Sequence, residues 1–201
     1  MATKEVTQVQ IPEIKFSQMV VKIKGKTPLL MNKWTETSID ELEKKQTKEA
    51  TNKKGAREPK KEFKEHQHYI QNNGKVINGF PSAGIKKALV SAGGRFADEK
   101  MTKLRGAFSI PCELVEIKGS KPVMQTDAVN IRGIGSLAYR PRFDNWTLEV
   151  PVIFNESIIS AGQILNLFQL AGFSVGLGSW RPECKGSYGQ YEVLYDETEM
   201  I

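Results

Sequence analysis

Between residues 176 and 193 the chain reads GLGSWRPECKGSYGQYEV, a stretch that combines glycines, cations and aromatics. Gly176, Gly178, Gly186 and Gly189 can take positive φ angles and let backbone segments approach closely. Successive backbone amides in such a loop can line a concave anion site. Arg181 offers a planar fork for a phosphate, and Lys185 a second cation. Trp180 and Tyr188 offer faces on which bases stack, at about 1–3 kcal/mol per base. The same residues also suit a glycine-rich corner with Trp180 packed beneath a sheet. The loop lacks the Lys-Ser/Thr ending of a nucleotide-binding loop.

A second cluster, IRGIGSLAYRPRF, spans residues 131–143. Arg132, Arg140 and Arg142 alternate there with Tyr139, Phe143 and glycines, the mixture a sequence-tolerant single-strand groove needs. Tyr139 and Phe143 also suit core anchors, whereas three arginines within eleven residues are hard to bury without partners. Lys86, Lys87 and Arg95 lie on or near one predicted helix, and Lys22, Lys24 and Lys26 on one face of a predicted strand. Each set suits either a solvated surface or a line of phosphate contacts.

Chemistry beyond binding has few carriers. His66 and His68 are the only histidines, two residues apart, and a metal-independent RNA endonuclease can use one as general acid or base. Asp127 and Asp144 flank the arginine-rich segment. Cys112 and Cys184 are far apart and form no CxxC pair, so no zinc site and no disulfide framework is expected. No HExxH, Walker-type or GxSxG motif is present. The expectation is a non-catalytic chain without metal or cofactor.

Residues 16–31 alternate, with Val21 and Ile23 on one side and the three lysines on the other, as in a half-buried strand. Residues 35–66 are nearly free of large apolar side chains and dense in both charges, which predicts a solvated helix or a disordered insertion. Asn72-Asn73-Gly74 marks a hairpin turn. Ser82 is a candidate N-cap for a helix closed by Gly93-Gly94. Residues 127–143 predict an extended basic hairpin that leaves the main sheet. TLEVPVIF predicts a strand in which Pro151 argues for an edge or a bulge. Ser160 and Gly172 bracket the clearest helix, QYEVLY predicts the last strand, and the acidic end predicts a loose tail. Reduced to its core, the order is βαββαβ.

The formal charge is +6 over 201 residues, but it is unevenly spread. Residues 1–145 hold 27 basic and 16 acidic groups, and residues 146–201 hold 2 basic and 7 acidic. A basic excess fits a polyanionic partner and equally a solubilising surface. No apolar run approaches the roughly 20 residues of a membrane span, and the first residues lack a signal-peptide core, so a cytoplasmic protein with no membrane partner is expected.

VVKIKGKTPLL, VINGFPSAGIKKALVSAGGRF and the later G-x-G-x-x-R-P-x-x-x-G-x-x-G, in that order, resemble the RAMP superfamily, which supplies backbone subunits and processing endonucleases of CRISPR systems. The resemblance touches about half the chain. It implies an α+β, modified ferredoxin-like (RRM-like) domain over residues 1–201, with residues 35–66 as a variable insertion and 127–143 as a thumb-like hairpin. It implies binding of single-stranded DNA or RNA and assembly of copies into a homo-oligomer or filament along the strand. A bacterial or phage protein outside CRISPR can use the same fold. Lys22, Lys24, Lys86, Lys87, Arg95, Arg132, Tyr139, Arg140, Arg142, Phe143, Trp180, Arg181, Lys185 and Tyr188 are the expected nucleic-acid contacts. A RAMP-type RNA endonuclease acting through His66, His68 or a hairpin aspartate, and a purely structural subunit, are the alternatives.

Overall fold

The computed structural model describes residues 13–49, 57–131 and 133–201. In chain order its elements are β1 (Phe16–Gly25), β2 (Leu29–Leu30), α1 (Glu36–Gln46), α2 (Pro59–Glu65), β3 (His68–Asn72), β4 (Lys75–Pro81), α3 (Ser82–Phe96) and α4 (Met101–Ala107). There follow β5 (Phe108–Ser109), β6 (Leu114–Glu116), β7 (Lys118–Gly119), β8 (Val123–Ile131), β9 (Ile134–Phe143), β10 (Trp146–Asn155), α5 (Ala161–Ser174), β11 (Tyr191–Val193) and β12 (Glu199–Met200). The class is α+β.

The central sheet has the order β11-β1-β10-β5, every neighbouring pair antiparallel, with β12 also on β1 and β7 also on β10. Helix α3 lies between β1 and β5 in the chain, and α5 between β10 and β11. That order is compatible with a βαββαβ core. The alternation of β1 works as read: Met19, Val21 and Ile23 are buried, as are Leu148, Val150, Val152 and Phe154 of β10. They pack with Ile85 and Leu89 of α3 and Ile164 and Phe168 of α5 in one core. Burial of such side chains contributes about 1.5–3 kcal/mol each.

Several local expectations change. Helix α3 starts with Ser82 inside it, after Pro81, and continues through Gly93-Gly94 to Phe96. Gly93 lies against Leu104 and Leu167, so it is a packing glycine rather than a cap. Helix α5 likewise runs past Gly172 to Ser174, while Ser160 does cap it, in a capping box with Gln163. Pro151 sits in β10, between β1 and β5 in the sheet. On its second side β10 pairs with β7 only at Trp146–Thr147 and with β5 only at Ile153–Phe154, so the proline lies at a local edge between them. The acidic end is not loose: Met200 pairs with Met19, and the Ile201 N–H donates to Gln18 O at 3.0 Å. Strand β11 covers only Ile23–Gly25 of β1, so the outer edge nearer the start of β1 is free to take β12.

Two smaller sheets carry the rest. The turn at Asn73 and Gly74, both at positive φ, joins β3 to β4 as expected, and β6 adds to β4. The hairpin β8–β9 leaves the central sheet and pairs with β2. It starts at Val123, earlier than the expected residue 127. The insertion contains two solvated helices, α1 and α2, neither with a buried residue. No helix among the described residues is long and apolar enough to cross a membrane.

Candidate nucleic-acid interface

The open face of the central sheet carries Lys22 and Lys24, with Lys26 just beyond the strand, but it is not a bare cationic surface. Lys22 is paired with Glu197 and lies 3.9 Å from Glu149, Lys26 lies 2.8 Å from Glu192, and Lys118 lies 2.5 Å from Glu149. The hydrogen bond to Glu197 is the main cause that holds the Lys22 ammonium above its ordinary pKa. Acids from the last third of the chain thus neutralise Lys22 and Lys26. Lys24 is exposed and makes no ion pair among the described residues.

The glycine-rich loop is folded onto itself. The Leu177 N–H donates to Gly189 O at 2.9 Å, Tyr188 N–H to Trp180 O at 3.0 Å, and Gly186 N–H to Arg181 O at 3.1 Å. Ser179 N–H donates to Leu30 O at 2.7 Å, and Gly189 N–H to Pro28 O at 2.8 Å. Most amides expected to line an anion site are therefore spent within the fold. Gly189 has φ +67°, and a β-carbon there would fall 1.8 Å from Leu177 O. The glycine requirement comes from this close approach of two backbone segments.

Arg181 is likewise committed. Its Nε and Nη2 donate to Glu183 Oε2 at 3.1 and 2.6 Å, and its Nη1 to Gly178 O at 2.9 Å. Ser91 Oγ donates to Glu183 Oε1 at 2.8 Å, and Arg95 lies 3.1 Å from the same oxygen. Burial pushes the Glu183 carboxyl up, but the Ser91 and Arg181 hydrogen bonds and the charges of Arg181 and Arg95 outweigh it and hold it below the usual carboxylate range. The expectation of Arg181 as a phosphate fork gives way to an arginine held within the loop by Glu183, the carboxylate strut that joins the loop to α3. Trp180, at positive φ, is 46% exposed, and Lys185, five residues on in the same loop, is exposed.

The hairpin meets this loop through polar side chains. Val123, Gln125, Asp127 and Val129 of β8 share a face with Ser136, Ala138, Arg140 and Arg142 of β9. Arg142 Nη1 donates to Gln125 Oε1 at 3.4 Å, and Gln125 Nε2 donates to Asp127 Oδ1 at 2.7 Å and to the Tyr188 hydroxyl at 3.5 Å. Arg142 also lies 2.8 Å from Asp144. Arg140, whose side chain is 13% exposed, faces Asp127 with Nη1 3.5 Å from Oδ2. The geometry makes no hydrogen bond, so Arg140 Nε and Nη1 and Asp127 Oδ2 are buried without partners among the described residues.

Other expected contacts separate. Phe143 is 1% exposed and belongs to the core beside Leu29, so it offers no face to a base. Tyr139 is half-buried, and its ring carries the Arg57 guanidinium 5.3 Å from its centroid. Lys86 lies 5.7 Å over Phe108, Lys87 is exposed, and Arg95 reaches Glu183. Arg132 lies outside the described residues.

Sequence reasoning missed the role of the insertion. Arg57 donates from Nε to Glu62 at 2.8 Å, from Nη1 to the Ser136 hydroxyl at 3.2 Å, and also to Leu137 O. It thereby ties α2 to the hairpin and helps close a cleft of about 690 Å³ between the insertion helices and β8–β9. The available signal was a lone arginine before Glu58-Pro59, within an otherwise undifferentiated charged run.

The histidines lie apart in role. His66 Nδ1 is 2.7 Å from Lys33 O, so a neutral ring donates through Nδ1 and leaves Nε2 as the acceptor. Burial, and then the charge of Lys33, hold the His68 pKa below its ordinary value. Among the described residues no group of three or more His, Cys, Asp or Glu side chains is placed to hold a metal. No protein-family model matches the chain, and no curated protein matches it.

Proposed function

We propose that the chain binds single-stranded nucleic acid with little sequence preference, along the shared face of β8–β9 and the adjoining glycine-rich loop, and that copies assemble side by side on the strand. The observation that carries this reading is Arg140. Its guanidinium has two buried donors without acceptors, next to Arg142 and on the face that reaches Tyr188. An unmet buried donor costs about 1–3 kcal/mol, and a phosphate oxygen relieves that cost through a charge-assisted bond. The exposed indole of Trp180 and the ammonium of Lys185 add a stacking platform and a cation on the loop side. The neutralised open sheet face is a minor contributor in this reading.

The test is fluorescence anisotropy with labelled DNA and RNA strands of about 30 nucleotides over a salt series, since each phosphate contact on a single strand contributes about −0.7 to the log–log slope. Arg142→Ala reduces the slope by about 0.7 and weakens all sequences alike. Trp180→Ala weakens binding about tenfold from lost stacking, whereas Lys22→Ala, whose ammonium is already paired with Glu197, changes it less than about twofold. Salt-independent binding, or strong preference for one sequence, refutes the proposal. Light scattering with strands of increasing length measures assembly, and one copy per strand at every length removes the filament.

A further inference from the structure

We infer that the cleft between the insertion and the hairpin is a pocket for one nucleotide carrying an amino-bearing base, with Trp34 as its stacking platform. This inference rests on the proposed strand binding and extends the same track. The hairpin face that meets the glycine-rich loop through Gln125 and Arg142 continues past Arg140 to Ala138 and Ser136, and these last three residues line the cleft. Its volume, about 690 Å³, lies in the range of small-ligand sites.

Trp34 lines the cleft with 61% of its surface exposed, although it stands on a fixed backbone. On one side the Lys33 N–H donates to His66 O at 3.2 Å, and His66 Nδ1 donates to Lys33 O at 2.7 Å. On the other, Thr35 is buried and caps α1 by accepting from Ser38 N–H at 3.2 Å. With its backbone fixed by a clamp on one flank and a helix cap on the other, Trp34 loses only side-chain freedom when its indole stacks on a ligand.

The cleft is chemically two-sided. Lys33 supplies positive charge, and Arg140, 3.5 Å from Asp127 but not hydrogen-bonded to it, still lacks acceptors for two donors. Across it, Glu62 is taken up by Arg57, and Glu65 lies 3.9 Å from Lys61, whereas Glu41 and Glu58 make no ion pair among the described residues, and Glu41 stands on α1, the helix that Thr35 caps beside Trp34. A ligand that matches has an anionic end for Arg140, a flat ring for Trp34 and a donor-bearing edge for Glu41. A nucleoside monophosphate unit with an amino group on its base meets all three. Guanine, cytosine and adenine present amino donors, as in the carboxylate–cytosine contact that proteins use in grooves. Uracil has a single ring N–H between two carbonyls that repel a carboxylate.

The experiment is isothermal titration of the full chain with GMP, AMP, CMP and UMP, independent of long-strand affinity. Saturable binding is expected, with UMP weakest. Trp34→Ala is expected to weaken GMP about tenfold while thermal melting stays unchanged, because the side chain is exposed. Glu41→Gln is expected to narrow the gap between GMP and UMP. No saturation below about 1 mM, or GMP binding untouched by Trp34→Ala, overturns the inference. UMP bound as well as GMP overturns the assignment of Glu41 and the base class. Strands that bind in the salt series while mononucleotides fail leave the strand proposal standing and remove the pocket, and failure of both removes both.

Discussion

Replacing Glu183 tests whether the glycine-rich loop is held by one carboxylate. Its side chain is 12% exposed and takes bonds from Ser91 and twice from Arg181, with Arg95 at 3.1 Å. A net bond to a charged group is worth about 1.5–3 kcal/mol, and breaking a buried pair costs more because the remaining charge is stranded. Here Arg181 keeps Gly178 O, and Arg95 is more than half exposed, so screening discounts both ends. Glu183→Ala is therefore expected to cost about 2–3 kcal/mol, which for this chain length lowers Tm by about 5–10 °C. The pH dependence has a definite sign. The folded carboxyl titrates below its ordinary value of 4.5, so its contribution is complete above that pH and is lost as pH falls through the folded value. Calorimetry of parent and Glu183→Gln from pH 7 downward should show the Tm gap closing below about pH 4.5. A gap under about 1 °C at neutral pH, or one that does not narrow as pH falls below 4.5, refutes the strut.

Two further perturbations follow from the same geometry. Gly189→Ala places a β-carbon against Leu177 O at φ +67° and is expected to cost about 2–4 kcal/mol in thermal melts. Gly162→Ala, in the first turn of α5 with open space around it, should instead gain up to about 1 kcal/mol, and equal effects of the two would count against the close approach. Arg57→Ala removes the bonds that join α2 to the hairpin, so amide exchange in α2 should speed up about three- to tenfold. Unchanged exchange would mean that the insertion is held by something other than this arginine.

Local patterns in the chain were enough for much of the framework. The alternation around Val21 and Ile23, the Asn73-Gly74 turn, the Ser160 cap and the polarity of the insertion each depend on neighbours a few residues away, and each appears in the fold. The glycine-rich loop and the arginine-rich hairpin were legible as segments for the same reason. Which of their side chains are free was not. Arg181 lies two residues from Glu183, but only the packing of α3 against the loop brings Ser91 and Arg95 to that carboxylate. Glu197 reaches Lys22 because the last residues return to the edge of β1. Phe143 and Tyr139 look alike in sequence, yet one is in the core and the other lies under Arg57 from 82 positions earlier. Charge is a property of a residue, whereas available charge depends on which partners come within about 4 Å, and that is decided by long-range contacts. Where cations and aromatics occur along the chain is a matter of the residues alone. The long-range packing decided that Lys22 and Lys26 are neutralised while, among the described residues, Lys24 is not, that Arg140 keeps donors unmet, and that a charged insertion becomes one wall of a cleft.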